Sequence, residues 1–324
     1  MKRNKKIYTY YTPKQVCTDQ IKDRSFSQSP LKPKLLMERI NILGFSEMLD
    51  QKSDFKPLKK DSFLLAHSNQ YVENVLNKTG NYNSNSLPWS KNLVTSLGYT
   101  NASLYHAKRH AILNPESVTF APISGMHHAM PNSGSGFCTF SGQVISAIKI
   151  YEEFGLSGAY FDLDGHTGNS IEDTREFNPL LNKAIPRGCN INPTGRNEEY
   201  TADFARSLVV IGERIKSGEI DYVVFAHGAD SHMDDDLGWN CDTFHWVKCA
   251  EMFANWVNEI SNEIGKPLPV TLALFGGYRK NNYTAVLDLH IKSILKISTI
   301  VCGTSFEDNQ EIPEKYPRKR KIKI

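Results

Sequence analysis

Three polar side chains follow a short apolar run at alternate positions in GAYFDLDGHTGNS, residues 158–170: Asp162, Asp164 and His166. In extended backbone, residues i, i+2 and i+4 project from one face, so the spacing aims two carboxylates and an imidazole at one point. That set suits a divalent metal ion. It equally suits a polar strand exit, with an Asp capping the next turn and the His bonded to a carbonyl. Residues elsewhere decide between the two. His127 and His128 follow the β-prone run 117–123, Asp230 follows 220–226, and Gly276-Gly277-Tyr278 follow 268–275. Parallel strands put all four ends on one edge of a sheet, where ligands of open α/β sheets bind. Four chemically loaded turns at one rim favour the metal.

Positioning those turns falls to an alternation of strands and helices. Apolar spacing predicts helices over 35–43, 61–76, 99–113, 139–153, 200–217, 241–264 and 283–298. Strands are expected within 5–16 and over 117–123, 158–163, 220–226 and 268–275, with a surface loop over 79–92. This order predicts an α/β fold: a single domain with a doubly wound, mostly parallel sheet flanked by helices. No repeat or linker divides the chain, so residues 1–312 are expected to form the catalytic body and 313–324 a basic tail.

The composition agrees with a globular chain, at 40% hydrophobic and 23% charged residues over 324 positions. No apolar run reaches the ~20 residues that span a bilayer, and the basic N-terminus lacks a signal peptide's apolar segment. Six scattered cysteines without a CxxC suggest reduced thiols in the cytoplasm. The net charge of +3 belongs to the tail, since removing Lys315, Arg318, Lys319, Arg320, Lys321 and Lys323 leaves −3. That tail leaves nuclear targeting open, but it lacks the interleaved aromatics of a nucleic-acid binder.

Five segments in order, GMHHAM at 125–130, GFCTF at 136–140, YFDLDGHTGNS at 160–170, HGADSHMDDDLG at 227–238 and FGGYR at 275–279, resemble the zinc-dependent histone deacetylase family of the arginase/deacetylase fold. The resemblance implies one catalytic Zn2+ per chain on Asp164, His166 and Asp230, with open positions for water and a substrate carbonyl. It implies that His128 is the general base and acid, that His127 acts electrostatically with Asp162 orienting it, and that Asn169 partners His128. Tyr278 would donate to the oxyanion. Gly136 and Phe137 would form one wall of an acyl-lysine channel. Leu237 would stand where polyamine-specific relatives carry a glutamate. Asn192 falls about where the opposite wall often has an aromatic, and Asn101 where an acidic residue anchors peptide backbone. Arg39 would line an acetate exit or be a surface charge.

Related two-metal ureohydrolases carry carboxylates at the positions of Gly168 and His232, so a second metal is not expected. The family also binds structural monovalent cations, and the resemblance implies a K+ near Asp162–His166. The implied substrate is acetyl-lysine in a protein; the alternatives are an acetylpolyamine or other small acylated amine, or a non-catalytic acyl-lysine binder. Oligomeric state and the choice between zinc and iron(II) stay open.

Overall fold

In the computed structural model, which describes residues 3–19, 27–305 and 312, one parallel sheet carries the site. Its strands are β1 (Ile7–Tyr10), β2 (Leu49–Lys52), β3 (Val118–Ala121), β4 (Gly158–Asp162), β5 (Asn190–Ile191), β6 (Tyr222–Ala226) and β7 (Val270–Ala273). They lie in the order β2-β1-β3-β7-β6-β4-β5, and every pairing is parallel. The four strands singled out by their loaded ends, β3, β7, β6 and β4, are therefore the four neighbours at the centre. At about 4.8 Å per strand, their carboxyl ends fall within roughly 15 Å of one another.

Every residue of these four strands is buried, as a parallel sheet covered on both faces requires. The cover comes from helices α1 (Lys32–Ile42), α2 (Lys60–Phe63), α3 (Asn69–Asn77), α4 (Lys91–Leu113), α5 (Gly142–Phe154), α6 (Ser170–Thr174), α7 (Leu181–Ala184), α8 (Glu198–Lys216), α9 (Thr243–Glu263) and α10 (Tyr283–Cys302). Helices α4, α5 and α7 pack in one group, and α8, α9, α10 and α1 in another. The fold is thus the α/β arrangement expected, with a sheet that is wholly rather than mostly parallel.

Two of the expected helices differ most, for local reasons. The helix expected over 61–76 is broken after Phe63, because His67 is needed as a buried tie: Nδ1 meets the Met130 carbonyl at 2.8 Å and Nε2 accepts the Ser141 amide at 2.9 Å. Ser68 then caps α3 by accepting the Tyr71 amide. Helix α4 begins at Lys91 rather than 99, because Ser90 caps it through the Leu93 amide and Gly98, a weak helix former, packs against the Leu58 carbonyl. Among the described residues no helix is long and apolar enough to cross a membrane. The basic tail at 313–324 lies outside the described residues. All six cysteines are buried free thiols.

Candidate metal centre and catalytic site

After β4 the chain bends over Asp164–His166, and the Asp164 and His166 side chains meet the Asp230 carboxylate from the turn after β6. One ligand atom from each of these three lies within 4.8 Å of the others. His166 Nδ1 stands 3.2 Å from Asp164 Oδ1 and 2.9 Å from Asp230 Oδ2. Asp230 is fully buried, and its Oδ1 has no hydrogen-bond partner among the described residues. An unpaired buried carboxylate oxygen is costly, and a cation at this point would satisfy it. The turn after β7 makes room: a Cβ at Gly276 would stand 2.2 Å from the Asp230 carboxyl carbon. The residues present therefore fit a divalent ion.

The electrostatics describe the same cation-seeking cluster. Burial, then the charge of Asp164, lifts the Asp230 carboxyl to about 8. Hydrogen bonds to Asp164 and Asp230 lift the His166 imidazole to about 10. Burial alone would raise Asp164 as well, but His127 and His166 outweigh it and hold Asp164 far below the ordinary carboxylate range. Protons thus sit where a divalent ion would bring its two charges.

Behind this cluster lie the two histidines that follow β3. His127 Nδ1 is 3.0 Å from Asp162 Oδ2, and its Nε2 faces Asp164 Oδ1 at 3.6 Å. Burial disfavours a charge on His127, but Asp164 and Asp162 prevail and lift it to about 9. A Cβ at Gly168 would come 2.3 Å from Asp162 Oδ2, so any side chain there would break this pair. His232, at the other position where a second metal's carboxylate would stand, is engaged by the Thr243 hydroxyl at 2.9 Å and the Asp234 amide at 3.1 Å.

His128 is set differently. Its Nδ1 lies 2.8 Å from Asn169 Oδ1, while Asn169 Nδ2 donates to Asp173 Oδ2 at 2.5 Å. Because Asp173 requires a donor, the amide must turn its oxygen toward His128. Nδ1 of His128 therefore carries the proton and Nε2 keeps its lone pair. Burial, then the neighbouring charge of His127, lowers the His128 pKa below its ordinary value. Two adjacent histidines with rings 4.0 Å apart are thus pushed in opposite directions, one charged and one neutral.

Tyr278 closes the site. Its ring packs 5.5 Å from the Phe137 ring and 6.3 Å from the His166 ring, and burial pushes its hydroxyl pKa well above the ordinary phenol value. It stays a donor. Gly136 adopts a φ of +50°, and a Cβ there would strike the His128 ring at 2.6 Å. Leu237 is exposed on the loop that follows Asp230, with its amide held by Asp235 Oδ1 at 2.9 Å.

Three residues fall elsewhere than the sequence suggested. Asn101 does not stand at the rim; it is buried within α4, with Nδ2 on the Leu97 carbonyl. Asn192 Oδ1 accepts the Gly168 amide at 2.7 Å and so braces the metal loop. Arg39 makes a two-pronged ion pair with Asp288 at 2.7 and 2.9 Å, tying α1 to α10. The buried cation beside the site is instead Lys32, unanticipated because residues 25–33 read as a loop. Asp235, in a run of three aspartates that reads as a solvated loop, is also buried against the site.

The histone deacetylase domain model matches residues 28–181, which hold His127, His128, Asp162, Asp164 and His166. Asp230 and Tyr278 lie beyond that match, and the fold carries them onto the same point. An uncharacterized protein of Picosynechococcus sp. is 26% identical over 221 residues, covering 62% of this chain and 68% of the relative. With the matched segment at the centre of a parallel sheet of this architecture, the chain is similar to the histone deacetylase family over residues 28–181, a domain that implies hydrolysis of the deacetylase type.

Proposed function

We propose that the chain is a zinc-dependent amidohydrolase that removes an acyl group, acetyl foremost, from an acylated amine, with acetyl-lysine in a protein as the substrate class. The observation that carries this reading is the convergence of Asp164, His166 and Asp230 with a neutral His128, a charged His127 and a protonated Tyr278 around one point. A zinc ion on the three ligands would polarise the substrate carbonyl and make water acidic enough to react at neutral pH. His128 Nε2 takes the proton as the water oxygen attacks the acyl carbon. Tyr278 donates to the oxygen that gains charge, a contact stronger in the transition state than in the ground state. His128 then returns its proton to the nitrogen as the C–N bond breaks, releasing carboxylate and amine. His127, held charged by Asp164 and Asp162, steadies the negative charge throughout. A pure acyl-lysine binder has no need of this base and oxyanion donor together.

A small acylated amine is the second reading. It is favoured by the burial of Asn101 and by Asn192 bracing Gly168, since neither forms the peptide anchor or aromatic wall that would grip a polypeptide. The test is acetate release by the zinc-loaded chain from an acetyl-lysine peptide and from N-acetylputrescine. Hydroxamate-sensitive release is expected, and the ratio of kcat/KM values separates the two substrate classes. Release from no acylated amine at all would sink the proposal.

The pH dependence offers a sharper check on His128. Its lowered pKa keeps the base form present into mildly acidic solution, so activity should fall only as pH drops below its ordinary value of 6.5. Combining Asn169→Asp with Asp173→Asn keeps the hydrogen-bonded pair but moves the negative charge next to the His128 ring. The acid limb of kcat/KM should then move up by about one pH unit or more. An unmoved limb would show that another group governs it.

A further inference from the structure

The turn that carries Tyr278, residues 275–278, is gripped from both sides by charges that the reaction does not use. Lys32 is fully buried at the start of α1, and its Nζ donates to the Phe275 carbonyl, to the Gly276 carbonyl at 2.9 Å and to the Ser124 hydroxyl at 3.2 Å. On the other side the buried Asp235 carboxylate accepts the Tyr278 amide at 2.7 Å through Oδ2 and the Leu237 amide at 2.9 Å through Oδ1. Between them the backbone is strained: Phe275 has a φ of +96°, a region that residues with a Cβ rarely occupy. Such a turn keeps its shape only where its surroundings over-determine it. Gly276 adds a third tie, donating its amide to Asp164 Oδ2 at 2.7 Å.

We propose that Lys32 and Asp235 form a charged clamp that sets the Tyr278 hydroxyl against the reacting carbonyl, making both positioning residues for catalysis. A cation on the carbonyls and an anion on the amide hold the two ends of one peptide turn, and hydrogen bonds to ionised groups are about twice as strong as neutral ones. Misplacing a catalytic group by about 1 Å can cost ~100-fold in rate, so the clamp acts on kcat rather than on substrate affinity. Asp235 also fixes Leu237, which couples the tyrosine turn to the loop that follows Asp230.

The inference rests on the proposed hydrolase activity, and the test separates the two. Asp235→Asn is isosteric but replaces one of two acceptors with a donor, and Lys32→Met removes the ammonium while keeping the unbranched chain up to it. Each should lower kcat by about 10- to 100-fold with KM within about twofold, at unchanged zinc content. Amide hydrogen exchange across 275–280 should speed up in both. In a Tyr278→Phe background neither substitution should cost more than about twofold further, because the group they position is already gone. Losses that multiply with Tyr278→Phe, or unchanged exchange protection, overturn the clamp. If Tyr278→Phe alone leaves hydrolysis intact, it is the functional proposal that fails.

Discussion

Asp230→Asn is expected to reduce bound zinc to near none and amide hydrolysis by at least about 1,000-fold, because under the proposed mechanism that ion would supply both the Lewis acid and the acidified water. The substitution keeps the shape of the side chain, so the sheet should hold. The reason for expecting so large an effect is the isolation of the carboxylate: Asp230 is fully buried, its Oδ1 has no partner among the described residues, and its Oδ2 meets His166. Zinc binding should also release protons. Asp230 keeps its proton up to about pH 8 and His166 up to about pH 10, so loading at pH 7 displaces about one to two protons per ion. Apparent affinity must then rise with pH across that range, and calorimetry in buffers of different ionisation enthalpy measures the number released. At zinc concentrations 1,000-fold above the dissociation constant the folded wild type gains about 4 kcal/mol, visible as a rise in Tm over the chelated protein. Asp230→Asn should show no such rise. Full zinc stoichiometry in that variant would remove Asp230 from the ligand set.

What could be read from the sequence was the part governed by strand ends. Their place at one strand end kept Asp162, Asp164 and His166 together, although the chain bends over Asp164–His166 rather than staying extended, and the parallel order of β3, β7, β6 and β4 joined His127, Asp230 and Tyr278 to them. These positions depend on local pattern and on a general property of parallel sheets. The residues that escaped depend on tertiary packing. Lys32 lies some 240 positions from the carbonyls it holds, and nothing in KPK distinguishes a buried ammonium from a solvated one. Asp235 sits among three aspartates, of which only the turn geometry buries this one. Strand β2 escaped because LDQK has a single buried apolar residue, and β5 because two residues carry no period. Burial also corrected Asn101: its motif position suggested the rim, whereas it lies on the buried face of α4 with its amide on the Leu97 carbonyl.

Tyr278→Phe should lower kcat by about 100- to 1,000-fold, the cost of removing one oxyanion donor from a preorganised site, with KM little changed. The phenylalanine ring retains the contact with Phe137, and the Asp235 bond is to the backbone amide, so the turn at 275–278 should keep its place. The loss therefore isolates the hydroxyl. Burial and the neighbouring carboxylates keep that hydroxyl protonated, so the reduction should be the same at pH 6 and pH 7, below the value of about 8 to which burial lowers Lys32. This separates Tyr278 from His128, whose contribution must vary with pH as the imidazole titrates. Because the group stabilises charge that develops only during the reaction, binding of unreacted acetyl-lysine peptide should weaken far less than turnover. Steady-state kinetics beside equilibrium binding will show the division. Equal losses in binding and rate would make Tyr278 a wall of the substrate channel rather than a donor to the transition state.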